Sequence, residues 1–266
     1  MNLGDSAIVL RPRSLTEVMD LAFRLCFSLA FSLYTRLTLY VVAPLLAGIL
    51  ALRYAFDASW LLVWLAALLT VPFVEALFTI AISQIIFSPT ITPRAVFSLF
   101  RKRLGALLGS FVIRGVGLVI AALTFFLLLP FVGIRLLLLD EACLLEGLSG
   151  TRAHERAKRL VSLRTGDAFL VLLMLLGARF GGVLTAELLF DGLVNDLLQF
   201  GRPFGWLFED GGSPAALVGF FLAVPFVSTA RFLYYIDTRT REDGWDIQLR
   251  FTSIRARAEQ ERRRAA

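Results

Sequence analysis

Apolar residues run along this chain in five long stretches separated by short polar connections: Leu37–Phe56, Ala58–Phe87, Gly105–Pro130, Ala168–Phe190 and Pro214–Tyr235. Each has the about 20 apolar residues that a helix needs to cross a hydrocarbon core of about 30 Å. Ala58–Phe87 overshoots, at about 45 Å if straight, so a kink at Pro72 and an end projecting into the headgroups are expected. A sixth stretch, Phe131–Gly147, gives only about 25 Å of helix and carries Arg135, Asp140 and Glu141.

The placement of positive charge decides how to read that sixth stretch. If it crosses, one side of the membrane collects the basic residues up to Arg36, those from Arg94 to Arg103, those from Arg152 to Arg164, and the arginines from Arg239 to Arg264. The other side keeps Arg53 and Arg202 beside Asp57, Asp191, Asp196, Glu209 and Asp210. Cytoplasmic loops carry the Lys/Arg excess, so the pattern predicts six spans with both termini cytoplasmic.

Three amphipathic segments precede the three hairpins. The first opens with the capping box Ser14-x-x-Glu17, and Leu15, Met19, Ala22 and Phe23 lie apart from Glu17, Asp20 and Arg24. The second opens at Thr92-Pro93, an N-cap with proline at the first helical position. The third aligns Ala153, Ala157, Leu160 and Val161 on one stripe. Each is expected in the cytoplasmic interface, apolar side to lipid. The basic residues Arg101, Lys102, Arg103, Arg156 and Arg159 would meet anionic headgroups.

The predicted fold is thus all-α: a polytopic membrane bundle of six transmembrane helices with three cytoplasmic interfacial amphipathic helices. Residues 1–238 form the membrane domain, with an interfacial helix over 14–34, and residues 239–266 form a basic cytoplasmic tail. Within that tail, Ile247, Phe251 and Ile254 suit a surface helix.

Composition agrees with this reading. The chain is 58% hydrophobic and 18% charged, against about 25% charged for soluble domains, and its mean hydropathy is +0.75. The net charge of +6 is accounted for by orientation in a membrane, so no nucleic-acid partner is expected. Acidic residues at Asp5, Glu17 and Asp20 argue against a cleaved signal peptide.

Reactive groups are scarce. The single histidine, His154, lies in a charged helix, and Cys26 and Cys143 lie in apolar stretches without metal-like spacing. No nucleotide-binding, zinc or calcium motif is present, and no cofactor or metal is expected. The clue that remains is charge inside apolar segments, which is expensive there and usually faces protein or water. Counted from the basic ends of their spans, Glu75, Arg114 and Arg179 lie roughly 18, 14 and 17 Å deep. They form a candidate intramembrane polar site, with Arg135, Asp140 and Glu141 as fourth-span candidates and Glu187 on the fifth span. Arg231, near a span end, is expected to snorkel to the interface. The pairs Gly105-x-x-x-Gly109 and Gly177-x-x-x-Gly181 are candidate packing seams.

Three stretches are motif-like: Leu10-Arg-Pro-Arg-Ser-Leu-Thr-Glu-Val-Met-Asp-Leu-Ala-Phe-Arg24, Glu146-Gly-Leu-Ser-Gly-Thr-Arg-Ala-His-Glu-Arg-Ala-Lys-Arg-Leu160 and Leu233-Tyr-Tyr-Ile-Asp-Thr-Arg-Thr-Arg-Glu-Asp-Gly-Trp-Asp246. In them the chain resembles a bacterial family of six-span membrane proteins of unassigned function. That family is related to the membrane domain attached to some glycerophosphodiester phosphodiesterases and to the YciC-like inner-membrane proteins. The resemblance implies an interfacial N-terminal helix, six spans and the bacterial inner membrane. It carries over no catalytic residue, because the phosphodiesterase chemistry of those relatives resides in a separate soluble barrel. Asp191–Gly212 reads as an extra-cytoplasmic insertion particular to this chain.

The functional expectation is a non-enzymatic scaffold or regulator of a membrane assembly. Its partners would be anionic lipids and either a membrane protein or a second copy of the chain. The alternative is a small transporter or lipid-handling protein that uses the intramembrane charges. A membrane-surface enzyme is the third reading.

Overall fold

The computed structural model describes residues 12–86, 91–124, 127–162 and 164–242. Among the described residues every regular element is a helix, and there is no strand. Five helices are long and apolar enough to cross a membrane: Phe31–Tyr54, Trp60–Ile85, Pro93–Leu123, Thr165–Leu197 and Pro214–Glu242.

In chain order, α1 (Leu15–Phe27) starts on the capping box, with Ser14 Oγ accepting from the Glu17 amide and Glu17 Oε2 accepting from the Ser14 amide. The expected helix over 14–34 is broken after Phe27 and restarts at Phe31 as α2 (Phe31–Leu37). A π turn, Thr38–Val42, joins α2 to α3 (Ala43–Tyr54). Pro44 explains that turn: it donates no hydrogen bond to the preceding turn and its ring crowds the carbonyl four residues back, which a wider turn relieves.

The second span, α4 (Trp60–Ile85), carries Pro72 inside it. Next, α5 (Pro93–Leu123) is one unbroken helix whose N-cap, Thr92, accepts from the Ala95 amide. The second amphipathic segment and the third span are therefore a single element, not an interfacial helix followed by a separate span.

The sixth apolar stretch is not one helix either. It divides into α6 (Leu129–Leu136) and α7 (Leu139–Leu145). After α8 (Gly150–Ser162) come α9 (Thr165–Asp191), continued by a π turn over Gly192–Leu197, and the single turn α10 (Leu207–Asp210). The last apolar stretch forms α11 (Pro214–Leu222) and α12 (Val224–Glu242). They part at Ala223, where Pro225 removes the next helical donor. The predicted surface helix and most of the basic tail lie outside the described residues.

At the centre of the bundle is α12, which packs on α1, α4 and α9. The second half of α4, from Val74 to Ile85, is buried almost continuously, whereas Leu61, Leu62, Leu65, Leu68 and Leu69 in its first half are exposed. Exposed apolar faces also run along α5 (Val112, Val116, Val119) and α9 (Leu173, Phe180, Leu184), as expected of helices bathed in lipid.

One apolar stripe assigned to lipid faces protein instead, and a second does so in part. Ala153, Ala157, Leu160 and Val161 of α8 are buried, and α8 packs on α5, α6 and α7. In α1 the predicted stripe divides: Ala22 is buried and Leu15 and Met19 are half-buried against the core, beside buried Val18, Leu25 and Cys26, and α1 packs on α12, whereas Phe23, 4.7 Å from Phe27 between ring centroids, is exposed. The N-terminal segment is strapped to α12 by polar contacts: the Arg13 amide donates to Asp237 (2.7 Å), and Arg241 donates to the Arg13 carbonyl (2.7 Å) and Asp237 (2.8 Å).

The tight helix seam also differs from expectation. Gly105, Gly177 and Gly181 have open space where a side chain would go, and Gly109 lies beside the Gly150 backbone. The close approach is between α9 and α11, at Gly182 and Gly219. A Cβ on Gly182 would lie 2.9 Å from the Gly219 carbonyl oxygen, and one on Gly219 would run into the Gly182 carbonyl and Ala186. With Ala186 and Ala223 the seam is small-x-x-x-small on both helices, which lets two backbones touch where the hydrophobic effect between helices is absent.

Candidate functional site

Five helices bring six charged side chains together in the middle of the bundle. Arg231 of α12, 6% exposed, is the hub. Its Nε donates to Glu141 Oε1 (2.6 Å), its Nη1 to Glu75 Oε2 (2.8 Å) and its Nη2 to Asp140 Oδ2 (3.3 Å). The two other arginines close the network. Arg179 of α9 donates to Glu75 Oε1 and stacks on Phe220, its guanidinium 4.8 Å from the ring centroid. Arg114 of α5 donates to Asp140 Oδ2 at 2.5 Å, and Ser110 donates to Asp140 Oδ1 at 3.2 Å. In their ionised forms the three guanidinium and three carboxylate groups cancel.

The predicted trio is therefore together only in part. Glu75 and Arg179 pair directly, whereas Arg114 reaches them through Asp140 and Arg231. Asp140 and Glu141 belong to the same site rather than to a separate fourth-span group, and both are buried. Arg231 does not snorkel, because three carboxylates hold it. A count of charges over the apolar segments does not single this group out, because those segments also hold Arg53, Arg135, Glu146 and Glu187. Two buried polar atoms of the network, Glu141 Oε2 and Arg179 Nη1, have no hydrogen-bond partner among the described residues. One small cleft, about 10 Å³ and lined by Pro72, Phe73, Ser110, Arg114 and Asp140 among others, reaches the network between α4 and α5. It is the size of about one water molecule.

A second polar cluster, absent from the sequence reading, lies beside α8. Tyr235 donates its hydroxyl proton to Glu146 (2.6 Å), and Arg156 donates through Nε to both Glu146 oxygens (3.1 Å each) and through Nη1 to Glu242 (3.4 Å). Arg156, read as a headgroup cation, is thus committed to carboxylates. Arg101, Lys102, Arg103 and Arg159 are exposed. The turn between α7 and α8 passes through Gly147 at φ +71°, where a side chain would collide with the Arg103 guanidinium.

Glu187 has a third role. It accepts from the Leu207 amide (2.8 Å) and from the Ser213 hydroxyl, and so anchors the Asp191–Gly212 segment to α9. Arg202 holds that segment from outside, paired with Asp191 (2.9 Å) and Glu209 (3.0 Å) and stacked 3.9 Å from the Trp206 ring centroid. The Asp191 hydrogen bond raises the Arg202 pKa above its ordinary value.

Arg135 stands apart from all of these. It is exposed and lines, with His154, a groove of about 480 Å³ between α5 and α6. Among the described residues no group of three or more His, Cys, Asp or Glu is placed to hold a metal ion.

No family model, curated protein or solved structure matches the chain.

Proposed function

We propose that the chain is a non-enzymatic scaffold or regulator of a membrane assembly, with the six charges acting as an internal lock that fixes five helices against one another. The observation that supports this reading is the closure of the network on Arg231: each carboxylate has an arginine partner inside the protein. A buried charge that loses its partner is strongly destabilising, so such a lock holds one helix arrangement against alternatives.

In this reading α6 and α7 together make the fourth crossing, and the membrane is a bacterial inner membrane with both termini cytoplasmic. The exposed cations Arg101, Lys102, Arg103 and Arg159 face anionic headgroups or a partner protein, and the likeness to the six-span family belongs to the same proposal.

Reporter fusions after Arg53, Pro130, Arg164, Arg202 and Arg241 test the threading. The expected series is outside, outside, inside, outside, inside, and inversion of the last three would make α6–α7 re-entrant. Purification from native membranes after crosslinking tests the scaffold: a stable protein or lipid partner is expected, and its absence counts against the reading.

The cleft at Arg114 and Asp140, with the unpartnered atoms of Glu141 and Arg179, favours a second reading, a narrow proton or ion path. Proton flux into liposomes that is lost in Asp140→Asn would put that reading first.

A further inference from the structure

We propose that the groove between α5 and α6 is a binding site for an anionic phospholipid of the surrounding bilayer, its phosphate held by Arg135 and His154 and an acyl chain laid along the apolar floor.

The groove has the size and make-up of a ligand site. Its volume, about 480 Å³, falls within the range of about 300–1,000 Å³ typical of small-molecule pockets, which are mostly apolar with a few polar groups at fixed places. The floor is Ile113, Val116 and Ile120 of α5 with Phe131 and Val132 of α6. Close approach of the two helices makes it: a Cβ on Gly117 would lie 2.9 Å from Val132 Cγ1.

Charge complementarity selects the occupant. Among the described residues Arg135 has no carboxylate partner, although α6 is otherwise apolar and Leu129 and Phe131 beside it are exposed. A guanidinium on such a surface is costly unless it meets an anion, and a phosphate diester offers the oxygens that a guanidinium fork binds best. His154 supplies the second group. Its ring lines the groove, and although Nδ1 is buried without a partner, the imidazole donates from Nε2 when that nitrogen carries the proton.

The site is also polarised as a lipid is. His154 belongs to α8, whose outward residues Arg152, Glu155, Lys158 and Arg159 are exposed and charged, whereas Val116, Ile120 and Phe131 are exposed and apolar. Head and chain thus have separate places. Neither a free anion nor an uncharged solute would use both.

The test uses the full-length protein in mild detergent. Native mass spectrometry would follow one-to-one adducts with palmitoyl-oleoyl phosphatidylglycerol, and with phosphatidylcholine of the same chains. The expected result is preference for phosphatidylglycerol, reduced about tenfold or more in Arg135→Gln, as loss of a charged hydrogen bond requires. Ile120→Trp, which fills the groove without changing charge, should reduce it as well. Lys158→Gln, the same charge change on the outer face of α8, should leave it within about twofold, since a solvated surface charge contributes little.

Arg135 has no internal ion pair to lose, so Arg135→Gln is expected to unfold with the wild type, and Ile120→Trp provides an independent arm if it does not. Equal losses in Arg135→Gln and Lys158→Gln would overturn the proposal as general surface electrostatics. Full displacement of the lipid by soluble glycerophosphate at the same concentration would overturn it in favour of a free-anion site. An Ile120→Trp protein that keeps its lipid but loses self-association would overturn it in favour of a second copy of the chain.

Discussion

Arg231 and Arg135 pose the same problem and meet opposite answers. Both are arginines in apolar helical segments. Arg231 is enclosed by Glu75, Asp140 and Glu141, whereas Arg135 lies at the edge of an open groove with no acidic partner among the described residues. The difference teaches how to read charge in a membrane chain. A charge whose counter-ion comes from the protein helps fix the fold, and one left without a counter-ion at a groove is, under the proposal above, where a lipid anion is bound.

The largest way to break the comparison is to remove the hub. Arg231→Leu strands buried Glu141 and leaves Glu75 and Asp140 with one arginine each, and should cost about 3–5 kcal/mol, measured as reversible unfolding in mixed micelles. Arg135→Gln measured alongside should change stability by no more than about 0.5 kcal/mol, as for exposed positions without special contacts. Equal losses would erase the distinction.

The glycine seam separates structure from surface in the same way without charge. Gly219→Val drives a side chain into the Gly182 carbonyl and Ala186, and overpacking of this kind costs about 1–3 kcal/mol. Gly177→Ala, on the exposed side of α9 with open space at its Cβ, should be neutral or stabilising by up to about 1 kcal/mol, because alanine is the better helix former.

The smallest expected signal is chemical silence. Cys26 is buried, within 3.5 Å of the Thr229 hydroxyl, and burial raises its thiol pKa, so the thiolate is scarce at neutral pH. Cys143 is buried too. A polar maleimide should label neither in the folded protein and both after denaturation, and rapid labelling of Cys26 would show that α1 is not docked on α12.

Much of the fold was legible because membrane helices announce themselves by length and hydropathy. All five long stretches are helical over most of their described residues, the last as two helices that part at Ala223, and the capping signals at Ser14 and Thr92 mark real helix starts. Less legible was what those helices touch. An amphipathic stripe looks the same whether it meets lipid or protein, which is why the burial of α8 against α5, α6 and α7 escaped the pattern.

Glycine spacing has the same ambiguity. Gly177-x-x-x-Gly181 is the stronger motif on paper, yet its neighbour Gly182 makes the contact, because Gly219 and Ala223 on α11 and just beyond it supply the matching small residues. Depth along the helices picked out Glu75 and Arg179 as neighbours. It missed Arg231, because hydropathy places that residue near a span end while the broken α6–α7 segment delivers two carboxylates to it.

The central claim is that Arg231 and the carboxylates act as partners inside a closed lock. Glu141 offers the cleanest test, because Arg231 is its only side-chain partner among the described residues. A double-mutant cycle of Arg231→Leu and Glu141→Gln, read as unfolding free energy in detergent, should give a coupling of at least about 1.5 kcal/mol, within the range for residues that share a network. The double mutant would then be less damaged than the sum of the singles. Additivity within about 0.3 kcal/mol would contradict the account, since two groups that do not feel each other cannot be halves of one lock.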